Sequence, residues 1–192
     1  GEDPGANTGK TESWNGTNWT EVNDLGTARR YGWASGVKDS AILTGGYTTT
    51  NVTLTESWNG TNWTEVNDLN TARRNVLGSG QSSTSSIFAG GKTTDVTAAT
   101  ELWNGTNWTE VNDLNDSREN PTVTGSSSTN ALASGGESPG ATANTELWNG
   151  TNWTEQNNLN AAKYAAGGAG SNSATLMFGG TPGSGFSATT EE

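Results

Sequence analysis

The chain has 192 residues, only 29% of them hydrophobic, with nine Trp, no Cys, no His and a net charge of −11. Disulfides, thiol and imidazole nucleophiles and a Cys-based metal centre are excluded, and so acidic a chain lacks the basic patches that grip nucleic acid. No apolar run approaches the roughly 18 residues of a membrane span, so no membrane insertion is expected.

The opening stretch, GEDPGANTGK, carries no visible signal peptide and reads as the interior of a longer protein. From residue 11 a pattern begins that fills the rest of the chain. TESW at 11–14 and 55–58 matches TELW at 100–103 and 145–148, and the octapeptide WNGTNWTE recurs unchanged at 14–21, 58–65, 103–110 and 148–155. Double glycines at 45–46, 90–91, 135–136 and 179–180 keep the same step of 44 or 45, as do Leu25, Leu69, Leu114 and Leu159. The repeat units are about 11–54, 55–99, 100–144 and 145–188, within a single domain spanning 1–192.

Each unit reads as four short strands. TELW is the first and NWTEV the second, joined by Asn-Gly, the favoured pair for a two-residue hairpin turn. A stretch such as YGWASGV is the third, and an apolar run ending in Gly-Gly (AILTGG, SIFAGG, ALASGG, LMFGG) is the fourth. Four strands per ~45 residues predict an all-β, four-bladed β-propeller. The ends resemble each other: residues 1–14 align with 136–148, so the C-terminal strand pair is expected to complete the blade begun by the N-terminal pair and close the ring. Continuation of the array beyond this chain, or two chains sharing a larger ring, remain open.

With Asn15-Gly16 as the turn, Trp14 would pair with Thr17 and Glu12 with Trp19, leaving the two Trp diagonal on one face. Trp14, Trp19, Trp58, Trp63, Trp103, Trp108, Trp148 and Trp153 are thus expected to fill the space between blades, each burying on the order of 150–250 Å². The alternative use of such a pair is a sugar-stacking platform. Overlapping N-x-T acceptors begin at Asn15 and Asn18 of the first unit, but they read as an Asn-Gly turn and strand-favouring Thr rather than as glycosylation sites. VNDLNDS at 111–117 reads as a turn rather than a calcium loop.

The apolar strand ending in Gly-Gly, an aromatic some ten residues on, a Trp beyond it and an Arg before the next apolar strand (Gly90-Gly91, Trp103, Trp108 and Arg118 in one unit) resemble the kelch repeat. The variant WNGTNWTEVNDLNTAR is further similar to kelch-like repeats of marine phage and bacterial surface proteins. This resemblance implies a propeller in a virion, tail-fibre or extracellular adhesive setting. Lys163 stands where the last Arg is expected, and Trp replaces the usual Tyr. Kelch-like rings include the galactose oxidases, whose copper site needs His and a Tyr joined to Cys; a chain without either cannot build it. Its acids recur fourfold, whereas a catalytic pair needs two unlike environments. No catalytic residue, cofactor or metal is expected.

Two features remain as candidates for binding. Six of nine basic residues cluster at one repeated place: Arg29, Arg30, Arg73, Arg74, Arg118 and Lys163. They would either pair with the repeated acids or grip an anionic group on a glycan. The loops after Gly-Gly and the stretches after the Arg differ between units, and in a kelch-like blade both open on one face, where binding specificity usually lives; drift of unconstrained loops explains the divergence equally well. Tyr31, Trp33 and Tyr47, with Tyr164 in the last unit, are the aromatics best placed there. A surface glycan or a protein of a larger assembly is the expected partner.

Overall fold

The computed structural model describes residues 2–3 and 6–192 and contains strands but no helix among them. Two short strands, β1 (Glu2–Asp3) and β2 (Ala6–Asn7), form a hairpin of their own. An outer hairpin follows, β3 (Glu12–Trp14) with β4 (Trp19–Glu21). The first complete blade is the antiparallel meander β5 (Trp33–Val37), β6 (Ser40–Thr44), β7 (Thr55–Trp58) and β8 (Trp63–Val66). The second is β9 (Leu77–Ser82), β10 (Ser85–Ala89), β11 (Thr100–Trp103) and β12 (Trp108–Val111). The third is β13 (Thr122–Ser127), β14 (Asn130–Ser134), β15 (Thr145–Trp148) and β16 (Trp153–Glu155). The fourth comprises β17 (Gly167–Ser171), β18 (Ala174–Phe178) and the short β19 (Thr190–Glu191). The innermost strands β5, β9, β13 and β17 line one axial cavity of about 220 Å³, which gives the four-bladed propeller arrangement the repeat predicts.

Blade-to-blade contact is built from repeated parts. Both glycines of each Gly-Gly pair adopt positive φ, for example 61° at Gly45 and 111° at Gly46, a region other residues rarely enter. The second glycine then donates its N–H to a carbonyl of the next blade: Gly46 to Arg73, Gly91 to Arg118 and Gly136 to Lys163, at 2.8–2.9 Å. A Cβ on Gly45 would stand 2.7 Å from the Arg73 carbonyl oxygen, so only glycine permits the approach.

The tryptophans do the rest. The indole N–H groups of Trp58, Trp103 and Trp148 donate to the carbonyls of Lys38, Ser83 and Ser128 at the inner turns of their own blades. Those of Trp63, Trp108 and Trp153 cross to Thr11, Thr55 and Thr100 on the preceding hairpin, at 3.0–3.1 Å. Trp103 and Trp108 sit with Ile42, Leu69, Val76 and Phe88, and Trp148 and Trp153 with Ile87, Leu114 and Val123, so each apolar cluster spans two blades. Trp carries the core because the chain has few aliphatics to do so.

Three expectations need correction. The hairpin turn is a four-residue loop rather than a two-residue one, so Trp14 faces Trp19 directly and Glu12 faces Glu21. The cause is the Asn side chain: the Asn15 carboxamide oxygen accepts the N–H groups of Thr17 and Asn18 at 2.9 Å, and four residues are needed to close around it. The Trp rings consequently tilt against each other at 5.3–5.5 Å between centroids in all four hairpins.

Next, the N-terminal pair does not share a blade with the C-terminal pair. β18 takes β19 as its neighbour, with Met177 opposite Glu191 and Phe178 opposite Thr190, while β3 is laddered only to β4. Thr190-Glu191 lies one repeat beyond Thr145-Glu146, so the chain supplies its own edge strand in repeat register. Finally, Trp14 and Trp19 do not fill an inter-blade space: they are 44% and 64% exposed, against 1% for Trp103 and 0% for Trp148. Among the described residues no other hairpin lies over them.

Candidate functional site

The repeated cations divide into two sets, one beneath the surface and one upon it. Arg29 contacts Glu56 at 2.5 Å, Arg73 contacts Glu101 at 2.9 Å, Arg118 contacts Glu146, and Lys163 contacts Glu191 at 2.6 Å. All four cations are buried. Arg73 and Arg118 also donate to backbone carbonyls of the same blade, Ala99 and Asn144, and Lys163 donates to the Thr189 hydroxyl. Burial pushes the Arg73 guanidinium below its ordinary value, and Glu101, Asp113 and Glu110 draw it part of the way back. The geometry therefore removes Arg29, Arg73, Arg118 and Lys163 from the set that can meet a ligand; they clamp the start of each blade to its third strand.

The residue after each buried cation turns instead to the loops. Arg30, Arg74, Glu119 and Tyr164 form isolated bridges with Tyr47, Lys92, Glu137 and Thr181 in the loops after Gly-Gly. These bridges bring the two variable loop sets onto one face, as expected. In the first two units the face is cationic and aromatic. The Arg30 guanidinium lies 5.3 Å from the Tyr31 ring centroid and 5.4 Å from that of Tyr47, and Arg74 lies 5.1 Å from Tyr47. Arg74 is held by the Asn51 side-chain oxygen at 2.7 Å, and Asn51 in turn donates to the carbonyls of Lys92 and Thr93. Arg30, Tyr31, Tyr47 and Arg74 enclose a pocket of about 210 Å³. In the third unit the sign reverses, with Glu119 accepting from Lys92 at 2.9 Å and from Asn75 at 2.7 Å.

Tyr31 joins this pocket to a second of about 260 Å³ at the mouth of the propeller axis, which Trp33, Asn75, Asn120 and Ala165 also line. Tyr31, Asn75, Asn120 and Ala165 hold the same place in four successive units, and all adopt φ of 51–58°. A bulky residue in this left-handed region costs on the order of 1–3 kcal/mol and persists only where its surroundings impose it. Here a backbone chain imposes it: Asn75 N–H donates to Tyr31 O, Asn120 to Asn75 and Ala165 to Asn120, at 2.9–3.2 Å. Sequence reading missed this arc, although Asn at two of its four places, a residue that tolerates the left-handed region, is a signal. It also missed Asn51.

Of the aromatic candidates, Tyr31 is half-exposed and Tyr47 partly so, and both belong to the pocket. Trp33 lines both the mouth and the axial cavity and packs against the cluster around Phe88. Tyr164 occupies the equivalent of Arg30 in the last unit and stands apart from the cluster. The N-x-T asparagines are turn-formers: Asn62, Asn107 and Asn152 accept hydrogen bonds from Asn23, Asn67 and Asn112 of the preceding hairpin at 2.7 Å. Among the described residues no group of acidic side chains is arranged to hold a metal ion, and no helix is long and apolar enough to cross a membrane.

No protein-family model matches the chain, and no curated protein matches its sequence. Solved structures do match it, among them the structure of YjhT, at a TM-score of 0.77 and 11% identity over 94% of this chain and 71% of that one. At that identity the likeness concerns the fold, a β-propeller arrangement.

Proposed function

We infer that the chain is a non-enzymatic recognition module, a kelch-like propeller akin to those of phage and bacterial surface proteins. It works at an extracellular or virion surface and binds glycans bearing an anionic group through the cluster around Tyr31. The observation that carries this reading is the pocket itself: two guanidinium groups stacked on two tyrosines beside the axial mouth, with Tyr31 held in a strained backbone. Tyrosine offers a flat face to a sugar ring, and the partly exposed Arg30 and Arg74 offer a fork to a carboxylate or sulfate. The repeated acids Glu56, Glu101 and Glu146 are committed to buried ion pairs, which suits scaffolding rather than hydrolysis.

The test is a glycan array probed with the full chain and with the Tyr31→Ala/Tyr47→Ala/Arg74→Ala variant. Binding to acidic glycans that the variant loses, with its melting unchanged, is the expected result. Binding that survives the triple change places the site elsewhere, and a chain that binds no glycan overturns the reading. The second reading, a structural module docking within a larger assembly, is favoured by a separate observation, the open tryptophans of β3–β4.

A further inference from the structure

The octapeptide carries a reactive pair that its structural role leaves idle. Asn15-Gly16, Asn59-Gly60, Asn104-Gly105 and Asn149-Gly150 each open the four-residue loop between two facing tryptophans, and no other asparagine of the chain precedes a glycine. With no side chain beside it, a glycine nitrogen can reach the carboxamide carbon of the preceding asparagine and close a cyclic imide. That step asks for a free nucleophile, a polarised carbonyl and a free leaving group.

The loop supplies all three. The glycine N–H makes no hydrogen bond among the described residues in any of the four copies. The asparagine carboxamide oxygen accepts the N–H groups two and three residues on, such as those of Thr61 and Asn62, at 2.9 Å in every copy. Two donors on one carbonyl oxygen stabilise the charge that develops there as a nucleophile adds, which is the arrangement of an oxyanion hole. The carboxamide nitrogen, the group that must leave, is exposed and donates to nothing among the described residues. By contrast, the carboxamide nitrogens of Asn23, Asn67 and Asn112 in the same hairpins each donate to two acceptors. The loops are also uncrowded. A Cβ placed on Gly16 would meet nothing within 4 Å, and on Gly60, Gly105 or Gly150 nothing nearer than 3.4 Å.

We propose that these loops are sites of spontaneous covalent modification, at which the folded protein converts asparagine to aspartate. The glycine nitrogen bonds to the asparagine Cγ. Its proton passes through solvent to the carboxamide nitrogen, which leaves as ammonia. One water then reopens the imide, and the carbonyl it attacks decides the product. Attack at the main-chain carbonyl would leave the backbone running through the side chain, as isoaspartate. Attack at Cγ breaks the new N–Cγ bond, returns the proton to the glycine nitrogen and restores an ordinary backbone with aspartate. The Cγ oxygen is the one that the two N–H groups hold, so the fold directs water there. Aspartate then keeps the loop closed, because its carboxylate accepts the same two N–H groups more strongly than an amide does. Each event adds one negative charge to a chain of net charge −11. The proposal is independent of the glycan reading. Gly60, Gly105 and Gly150 stand beside Asp39, Thr84 and Thr129 in the inner turns, at the ends of the blades away from the loops that form the pocket.

Peptide mapping that separates aspartyl from isoaspartyl forms tests this, on the full chain aged in mildly alkaline buffer with and without denaturant. In the folded chain the four Asn-Gly sites should convert while the other asparagines do not, with aspartate the greater product. In denaturant the same sites should convert and lose that preference, since both imide carbonyls are then open to water. Thr106→Pro lacks one of the two N–H donors. It should lose the aspartyl preference at Asn104 alone, with Asn59 and Asn149 of the same molecule as controls. Asn104→Asp should melt with the parent. A folded chain that stays unconverted while the denatured chain converts overturns the proposal. So does isoaspartate formed in equal proportion in both, or a clear drop in the melting of Asn104→Asp. Should Thr106→Pro fail to fold, the comparison of folded and denatured chain still decides the matter.

Discussion

The hairpins β3–β4 and β11–β12 share an identical octapeptide, an identical four-residue loop and the same tilted Trp pair, with centroids at 5.5 and 5.3 Å. One lies open to solvent while the other is buried. Local sequence therefore decides the shape of the hairpin, and the neighbouring blade decides whether that shape contributes to a core. The loop with its Asn cap and the facing rings form without help. Burial, by contrast, depends on Ile42, Leu69, Val76 and the Thr55 hydroxyl being in place on the two preceding units.

The sharpest way to test this is to truncate the same residue in both settings. Trp103→Ala should cost about 3–5 kcal/mol, the range for emptying a large aromatic site in a core, because it also abandons the Ser83 carbonyl. Trp14→Ala should cost about a tenth to a quarter of that, as expected of a surface change of at most ~0.5–1 kcal/mol. Chemical denaturation of the two variants decides the matter. Equal losses would mean that β3–β4 is covered in solution by something the isolated chain does not show.

A second pair of substitutions asks the same question of charge. Glu101 accepts from Arg73 and from the backbone and side chain of Asn70, all at 2.9 Å and out of reach of water. Glu101→Gln leaves a buried guanidinium uncompensated and should cost about 3 kcal/mol, at the low end for a broken buried pair because the amide keeps part of the bonding. Glu12→Gln, at the same repeat position with no cation, should leave the denaturation midpoint unchanged. A visible loss there would show that Glu12 has a partner in solution.

Much of this was legible in the sequence. The step of 44–45 residues gave blade number, strand order and the burial of most of the tryptophans, because a strict repeat leaves few arrangements that bury its faces. What the repeat could not disclose lay in non-periodic detail. Asn15 looked like half of an Asn-Gly turn, yet its side chain competes for two backbone N–H groups and lengthens the loop. Arg29 and Arg30 are adjacent and chemically alike, but successive residues point to opposite sides of an extended chain, so one meets Glu56 in the interior and the other Tyr31 and Tyr47 outside. Only Arg30 and Arg74 of the six basic candidates belong to the pocket. The strain at Tyr31 had no signature of its own, since tyrosine is not a residue that announces positive φ.

The smallest effect concerns β19, which shares its repeat position with the start of β15 yet ends after two residues, where β15 runs on to Trp148 and pairs with β16. β19 is fastened chiefly by Glu191, which meets Lys163 and the Asn160 N–H, each at 2.6 Å. Burial works against the charge of Glu191, yet Lys163 and the Asn160 N–H outweigh it and hold the carboxyl below its ordinary value. A carboxyl depressed in the folded state adds stability above its unfolded pKa of about 4.3, and that stability disappears as pH falls through the folded value. Acidification below about pH 4.3 should therefore release β19 first, seen as faster amide exchange at Thr190 and Glu191 after correction for intrinsic rates. β15, backed by a fourth strand and by Trp148, should hold through the same titration. Glu191→Gln should abolish the pH dependence at β19 while leaving β15 unaltered. If exchange at Thr190 is as slow at low pH as at neutrality, β19 is held by its backbone ladder alone, and the edge of β18 is less available to another strand than its two-residue cover implies.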